Sequence, residues 1–81
     1  MYINIGKTKS VNSGDIIGIF DLDITSQSHL TRKYLSFSEK EGCIENEAED
    51  IPKTFIVCLE NKEKKIYLSQ ITSSTLAKRV E

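Results

Sequence analysis

Ile16-Ile17-Gly18-Ile19-Phe20-Asp21-Leu22 is the stretch from which the rest of the chain can be read. Its β-branched and aromatic residues favour extended backbone, and its apolar residues fall on both parities, as in a strand covered on two faces. Residues 16–22 are therefore expected to form the central strand of a sheet. The period then changes. Leu30, Tyr34 and Phe37 recur at i, i+4 and i+7 with Leu35 beside them, while Arg32, Lys33, Ser36 and Lys40 point elsewhere. That repeat predicts an amphipathic helix within residues 24–41. Thr25, Ser26 or Ser28 can cap its start, and Gly42 can take the left-handed conformation at its end.

Working outward, residues 1–5 alternate Ile3 and Ile5 against Tyr2 and Asn4, the period of a half-buried strand that Gly6 breaks. Residues 7–14 are rich in Lys, Ser, Thr and Gly and read as a turn or short polar strand in a hairpin. Beyond the helix, Glu45, Glu47, Glu49 and Asp50 with Pro52 mark residues 43–52 as a mobile acidic loop. Residues 54–59 and 65–71 read as two further strands joined by a charged loop over 60–64. Thr72, Ser73, Ser74 and Thr75 can cap a short final helix in which Leu76 and Val80 share a face. The order ββαββα predicts an α+β fold: a small, mostly antiparallel sheet of about four strands, with one central and one short C-terminal helix on one side.

The 81 residues form one expected domain, 1–81, and a composition of 38% hydrophobic and 28% charged residues belongs to a folding chain. A chain this short buries only about 60% of the surface its unfolded form exposes, so it needs a disulfide, a metal or self-association. Cys43 and Cys58 allow at most one bridge, and with the lone His29 they lack the paired spacing of a structural zinc site. No segment resembles a signal peptide, so the chain is expected to be cytoplasmic with reduced thiols. No apolar run approaches the roughly 20 residues of a membrane helix, so no membrane partner is expected. Self-association is the expected stabiliser.

No catalytic constellation can be assembled. His29 has no nucleophile signature beside it and reads as a solvated or cap-adjacent residue. Asp21 and Asp23 share a parity, yet nothing nearby completes an acid–base pair. The acidic residues 45–50 lack the glycine and spacing that bend a calcium loop, and Gly6, Gly14, Gly18 and Gly42 are too isolated for a phosphate-binding loop. The expectation is a protein that is not an enzyme and has no cofactor or metal. Eleven basic residues against twelve acidic ones argue mildly against a dedicated nucleic-acid module.

Tyr2-Ile3-Asn4-Ile5-Gly6, Val11, Asp15-Ile16-Ile17-Gly18-Ile19-Phe20-Asp21 and Leu68-Ser69-Gln70-Ile71-Thr72-Ser73-Ser74-Thr75-Leu76-Ala77-Lys78-Arg79 carry a likeness that spans nearly the full chain. The sequence resembles the RemA/RemB family of bacterial extracellular matrix regulators and is most similar to its RemB (YaaB) branch. The resemblance implies a cytoplasmic regulator of biofilm matrix genes. It also implies assembly of subunits into a ring, as in the RemA branch, with basic residues presented to DNA. The chain departs from the RemA pattern where Asp15 matches an arginine and where Ile51-Pro52-Lys53-Thr54 matches an arginine-rich segment.

Two readings follow. One is an oligomeric DNA-associated transcriptional regulator in which Lys53, with Lys7 and Lys9 as weaker candidates, contacts phosphate. The other is an oligomeric interaction module, alone or mixed with a RemA-like partner, that does not touch DNA. Asp15 favours the second, because an acid where phosphate would sit repels it.

Overall fold

Thr54, Phe55, Ile56, Val57 and Cys58 are five consecutive buried residues in one strand. Burying both parities requires a layer on each face of the sheet. The computed structural model describes residues 1–6, 8–22, 29–48 and 51–80, with His29, Leu30 and Thr31 described by their backbone only. Its elements are β1 (Tyr2–Asn4), β2 (Ser10–Asn12), a single 3-10 turn (Ser13–Asp15), β3 (Ile16–Asp21), α1 (His29–Lys40), β4 (Ile44–Asn46), β5 (Thr54–Glu60), β6 (Glu63–Ser69) and α2 (Ser73–Val80). Four strands form one sheet in the order β3-β5-β6-β4, antiparallel except that β4 runs parallel to β6. β1 and β2 form a separate antiparallel pair. The α+β class and the mostly antiparallel sheet agree with the sequence reading.

Four local expectations are corrected. Residues 16–22 were expected at the centre, but among the described residues β3 is an edge strand paired only with β5, and its Ile17 is 67% exposed. β5 takes the centre. Residues 43–52 do not form a loop throughout, because Ile44, Glu45 and Asn46 pair with Ile66, Tyr67 and Leu68, and Lys65 stands 3.8 Å from Glu45. The connection from β5 to β6 is two residues long, not five. Asn61 and Lys62 have φ of 51° and 67°, the pair of positive values whose twist matches a tight hairpin.

The helices also lie on opposite faces rather than one. Ile3, Ile5 and Val11 from the hairpin and Leu76 from α2 pack on Ile56, Cys58 and Tyr67. On the other face Leu35 of α1 packs against Phe55, Val57 and Ile66. Burying a side chain such as Leu76 completely contributes about 1.5–3 kcal/mol, which is what keeps an eight-residue helix in place.

Local signals explain the ends of these elements. Thr72 Oγ1 accepts from the Thr75 N–H at 3.4 Å and so caps α2. Gly42, at φ 75°, follows α1 in the left-handed conformation expected of it. The candidate caps Thr25, Ser26 and Ser28 lie outside the described residues. After β1 the chain approaches β4 so closely that a Cβ at Gly6 would stand 2.6 Å from the Glu47 carbonyl oxygen.

Candidate nucleic-acid interface

Lys53 sits immediately before the central strand, on backbone held from both sides. Its N–H donates to Ser69 O at 2.8 Å, and its carbonyl accepts from the Leu22 N–H at 2.8 Å. A small buried polar cluster underlies it. Thr54 Oγ1 donates to Ile71 O at 2.7 Å, Ser69 Oγ donates to Ile5 O, and the Ile71 N–H donates to Ser69 Oγ at 3.0 Å. Thr54 and Ser69 are both fully buried. These bonds tie the exit of β1, the start of β5 and the end of β6 into one rigid sheet end. The Lys53 side chain is exposed there. Two acids share this end: Asp21 is in register with Thr54, and Glu47 backs Gly6.

Lys9 behaves differently. The Ile5 N–H donates to Lys9 O at 3.0 Å, so the turn after β1 starts beside the Ser69 cluster, at the same sheet end as Lys53. The Lys9 ammonium, however, lies 5.0 Å from the centre of the Tyr67 ring. It lines a polar cavity of about 320 Å³ with Asn12, Asp15, Glu60 and Asn61. A cation over an aromatic face and near carboxylates is already engaged. Lys7 lies outside the described residues.

Two buried acids, Tyr67 and Cys58, interact with residues that line this cavity. Burial raises the Tyr67 phenol, and its hydrogen bond to Glu60 at 2.8 Å raises it further. Burial, with Glu60 and Asp15 adding to it, pushes the Cys58 thiol up to about 11. A buried, protonated thiol is a poor nucleophile. Cys43 and Cys58 are both free thiols.

Asp15, which stands where the RemA pattern has an arginine, lies at the Glu60 end of the sheet. It precedes β3 while Lys53 precedes the antiparallel β5, so the two positions are separated by a strand length, about 20 Å. Among the described residues no three His, Cys, Asp or Glu side chains converge as a metal site. His29 opens α1, Asp23 lies outside the described residues, and no described helix is long and apolar enough to cross a membrane.

Residue-by-residue reading missed two clusters. One is Lys9, Tyr67 and Glu60. The other is Lys64, whose ammonium lies 4.8 Å from the Tyr34 ring centre, donates to Ser38 Oγ at 3.1 Å and stands 3.8 Å from Glu41. Both join residues distant in sequence.

The fold and these surfaces define a small α+β domain with one charge-bearing sheet end and one apolar groove lined by Ile17, Phe20 and Tyr34. No family model matches the chain. Over all 81 of its residues it is 33% identical to extracellular matrix regulatory protein B of Bacillus subtilis (strain 168), and it covers 91% of that protein. The chain belongs to the extracellular matrix regulatory protein B family, and the resemblance drawn from its sequence motifs pointed to the same family.

Proposed function

We propose that this protein is a non-enzymatic, cytoplasmic regulator of extracellular matrix gene expression that acts as an oligomer associated with DNA. Membership in a family of extracellular matrix regulators supports the regulatory role. The observation that carries the DNA contact is Lys53, an exposed cation on backbone clamped by two 2.8 Å hydrogen bonds. Clamped backbone reduces the ordering cost of meeting a phosphate. One lysine per chain binds weakly, and assembly of several chains multiplies that contact.

A second reading keeps the assembly, alone or with a RemA-like partner, and removes the DNA. It is favoured by Asp21 and Glu47 at the Lys53 end and by the engagement of Lys9 with Tyr67. Duplex binding measured against salt decides between them. Each lost phosphate contact reduces the slope of log affinity on log salt by about 0.9. Lys53→Ala should therefore flatten that slope by about 0.9 per engaged chain and weaken binding to unrelated sequences alike. An unchanged slope removes Lys53 from the interface, and a parent protein that binds no DNA favours the interaction module.

A further inference from the structure

We propose that the polar cavity between the β1–β2 hairpin and the β5–β6 turn is a binding site for a small free amino acid with a basic side chain. This goes beyond the regulator reading and does not depend on contact with DNA.

The cavity holds about 320 Å³, the lower end of the range for small-molecule sites. It lies where separate parts of the chain meet. Tyr2 and Asn12 come from the hairpin, Asp15 from the 3-10 turn, and Glu60 and Asn61 from the end of β5 and its turn. Lys9 lines it from the chain just before β2. Groups of both signs thus face one space. Beside burial, Glu60 and Asp15 push the Cys58 thiol up and Lys9 pulls it down, so the three charges act on one buried point.

These charges do not close on one another. Among the described residues no ion pair joins Lys9 to Asp15 or Glu60. The Lys9 ammonium lies instead over the Tyr67 ring, 5.0 Å from its centre. A ring covers one side of an ammonium that has three donors, so donors remain for an incoming acceptor. The Tyr67 hydroxyl donates to Glu60 Oε2 at 2.8 Å and holds that carboxylate in place, while the second carboxylate oxygen can accept from a ligand. Tyr67 is 1% exposed, so a fixed core side chain positions both the cation and the acid.

The balance of charge selects the ligand. Two acids and one base line the cavity, so a phosphate or a simple carboxylate meets two repulsions for one attraction. A simple amine pairs with an acid but leaves Lys9 uncompensated. An amino acid with a basic side chain carries two cations and one carboxylate, the inverse of the lining, so its carboxylate meets Lys9 and its cations meet Asp15 and Glu60. Asn12 Oδ1 accepts from the Gly14 N–H at 3.0 Å, which leaves the Asn12 amide nitrogen to donate to that carboxylate. The Tyr2 ring, 71% exposed at the rim, offers an apolar face to the aliphatic stem.

Isothermal titration calorimetry and amide chemical-shift mapping of the full chain, without DNA, test this with L-arginine and L-lysine as probes. A ligand of about a dozen heavy atoms in an open cleft should bind with a Kd between about 10 μM and about 1 mM and shift the Asn12, Asp15 and Asn61 resonances. Agmatine, which is arginine without its carboxylate, should bind at least tenfold more weakly, and inorganic phosphate should not displace arginine. Lys9→Met should weaken L-arginine at least tenfold without weakening agmatine, and Asp15→Asn should weaken both, each with an unchanged circular dichroism spectrum. Glu39→Gln, exposed on α1, should match the parent. Failure of the folded parent to bind either amino acid at about 10 mM overturns the proposal. Equal affinity for arginine and agmatine, or arginine binding unchanged by Asp15→Asn, overturns it as well.

Discussion

Replacing Ser69 by alanine removes a single oxygen from the sheet end that carries Lys53. Ser69 is fully buried; its Oγ donates to Ile5 O and accepts from the Ile71 N–H at 3.0 Å. After substitution a buried carbonyl and a part-buried amide have lost their partner, and alanine offers no replacement. A neutral hydrogen bond contributes about 1 kcal/mol net, whereas a buried group left without one costs about 1–3 kcal/mol. With two groups orphaned, Ser69→Ala should destabilise the fold by about 2–4 kcal/mol. Serine and alanine differ little in volume, so cavity formation adds little. In a domain of this size 1 kcal/mol moves Tm by about 4–8 °C, giving an expected fall of at least about 8 °C. Thermal unfolding followed by circular dichroism reads the shift, and urea unfolding should show a lower midpoint with an unchanged slope. Ser36→Ala, exposed on α1, is the control and should stay within about 0.5 kcal/mol. A Ser69→Ala shift no larger than the control's would refute the claim that this hydroxyl ties the sheet end together.

Gly6→Ala should cost about 1–3 kcal/mol through overpacking, because its Cβ would meet backbone of Glu47 at 2.6 Å; urea midpoints equal to the parent's would contradict this. Alkaline pH should destabilise the protein. The folded state holds the Cys58 proton to about 11 against a usual 9.0, so this stability is full below about pH 9 and is lost as pH rises through about 11. The loss is on the order of 2 kcal/mol, Tyr67 adds in the same direction, and Cys58→Ala should flatten the first part of the curve. Thiol titration of denatured protein prepared without reductant should find two free thiols from Cys43 and Cys58, and a quantitative disulfide would oppose the reading.

Periodicity located most of the strands but not their order. Residues 16–22 and 54–59 both have apolar side chains on both parities, and what makes β5 central is that β3 and β6 flank it, a fact of chain path rather than of pattern. β4 escaped notice because Ile44 is its only apolar residue, and its pairing with β6 depends on the reversal at Gly42. The hairpin at Asn61 and Lys62 was hidden because a lysine occupies a position where glycine is the usual signal. Gly42 and Thr72, by contrast, act through near neighbours and were readable as helix ends. The same division holds at the candidate site. Lys53 was singled out by the resemblance, as the one basic residue in the segment that matches the RemA branch's arginines, whereas the engagement of Lys9 with Tyr67 joins residues 58 positions apart and has no local signature.

Native mass spectrometry of the protein mixed with a short duplex at low salt tests the proposed regulator most directly, because it reads assembly and DNA contact in one species. The account predicts complexes in which two or more chains share one duplex and which disappear as salt rises. Assembled protein with no duplex attached, or a single chain on each duplex, would contradict it.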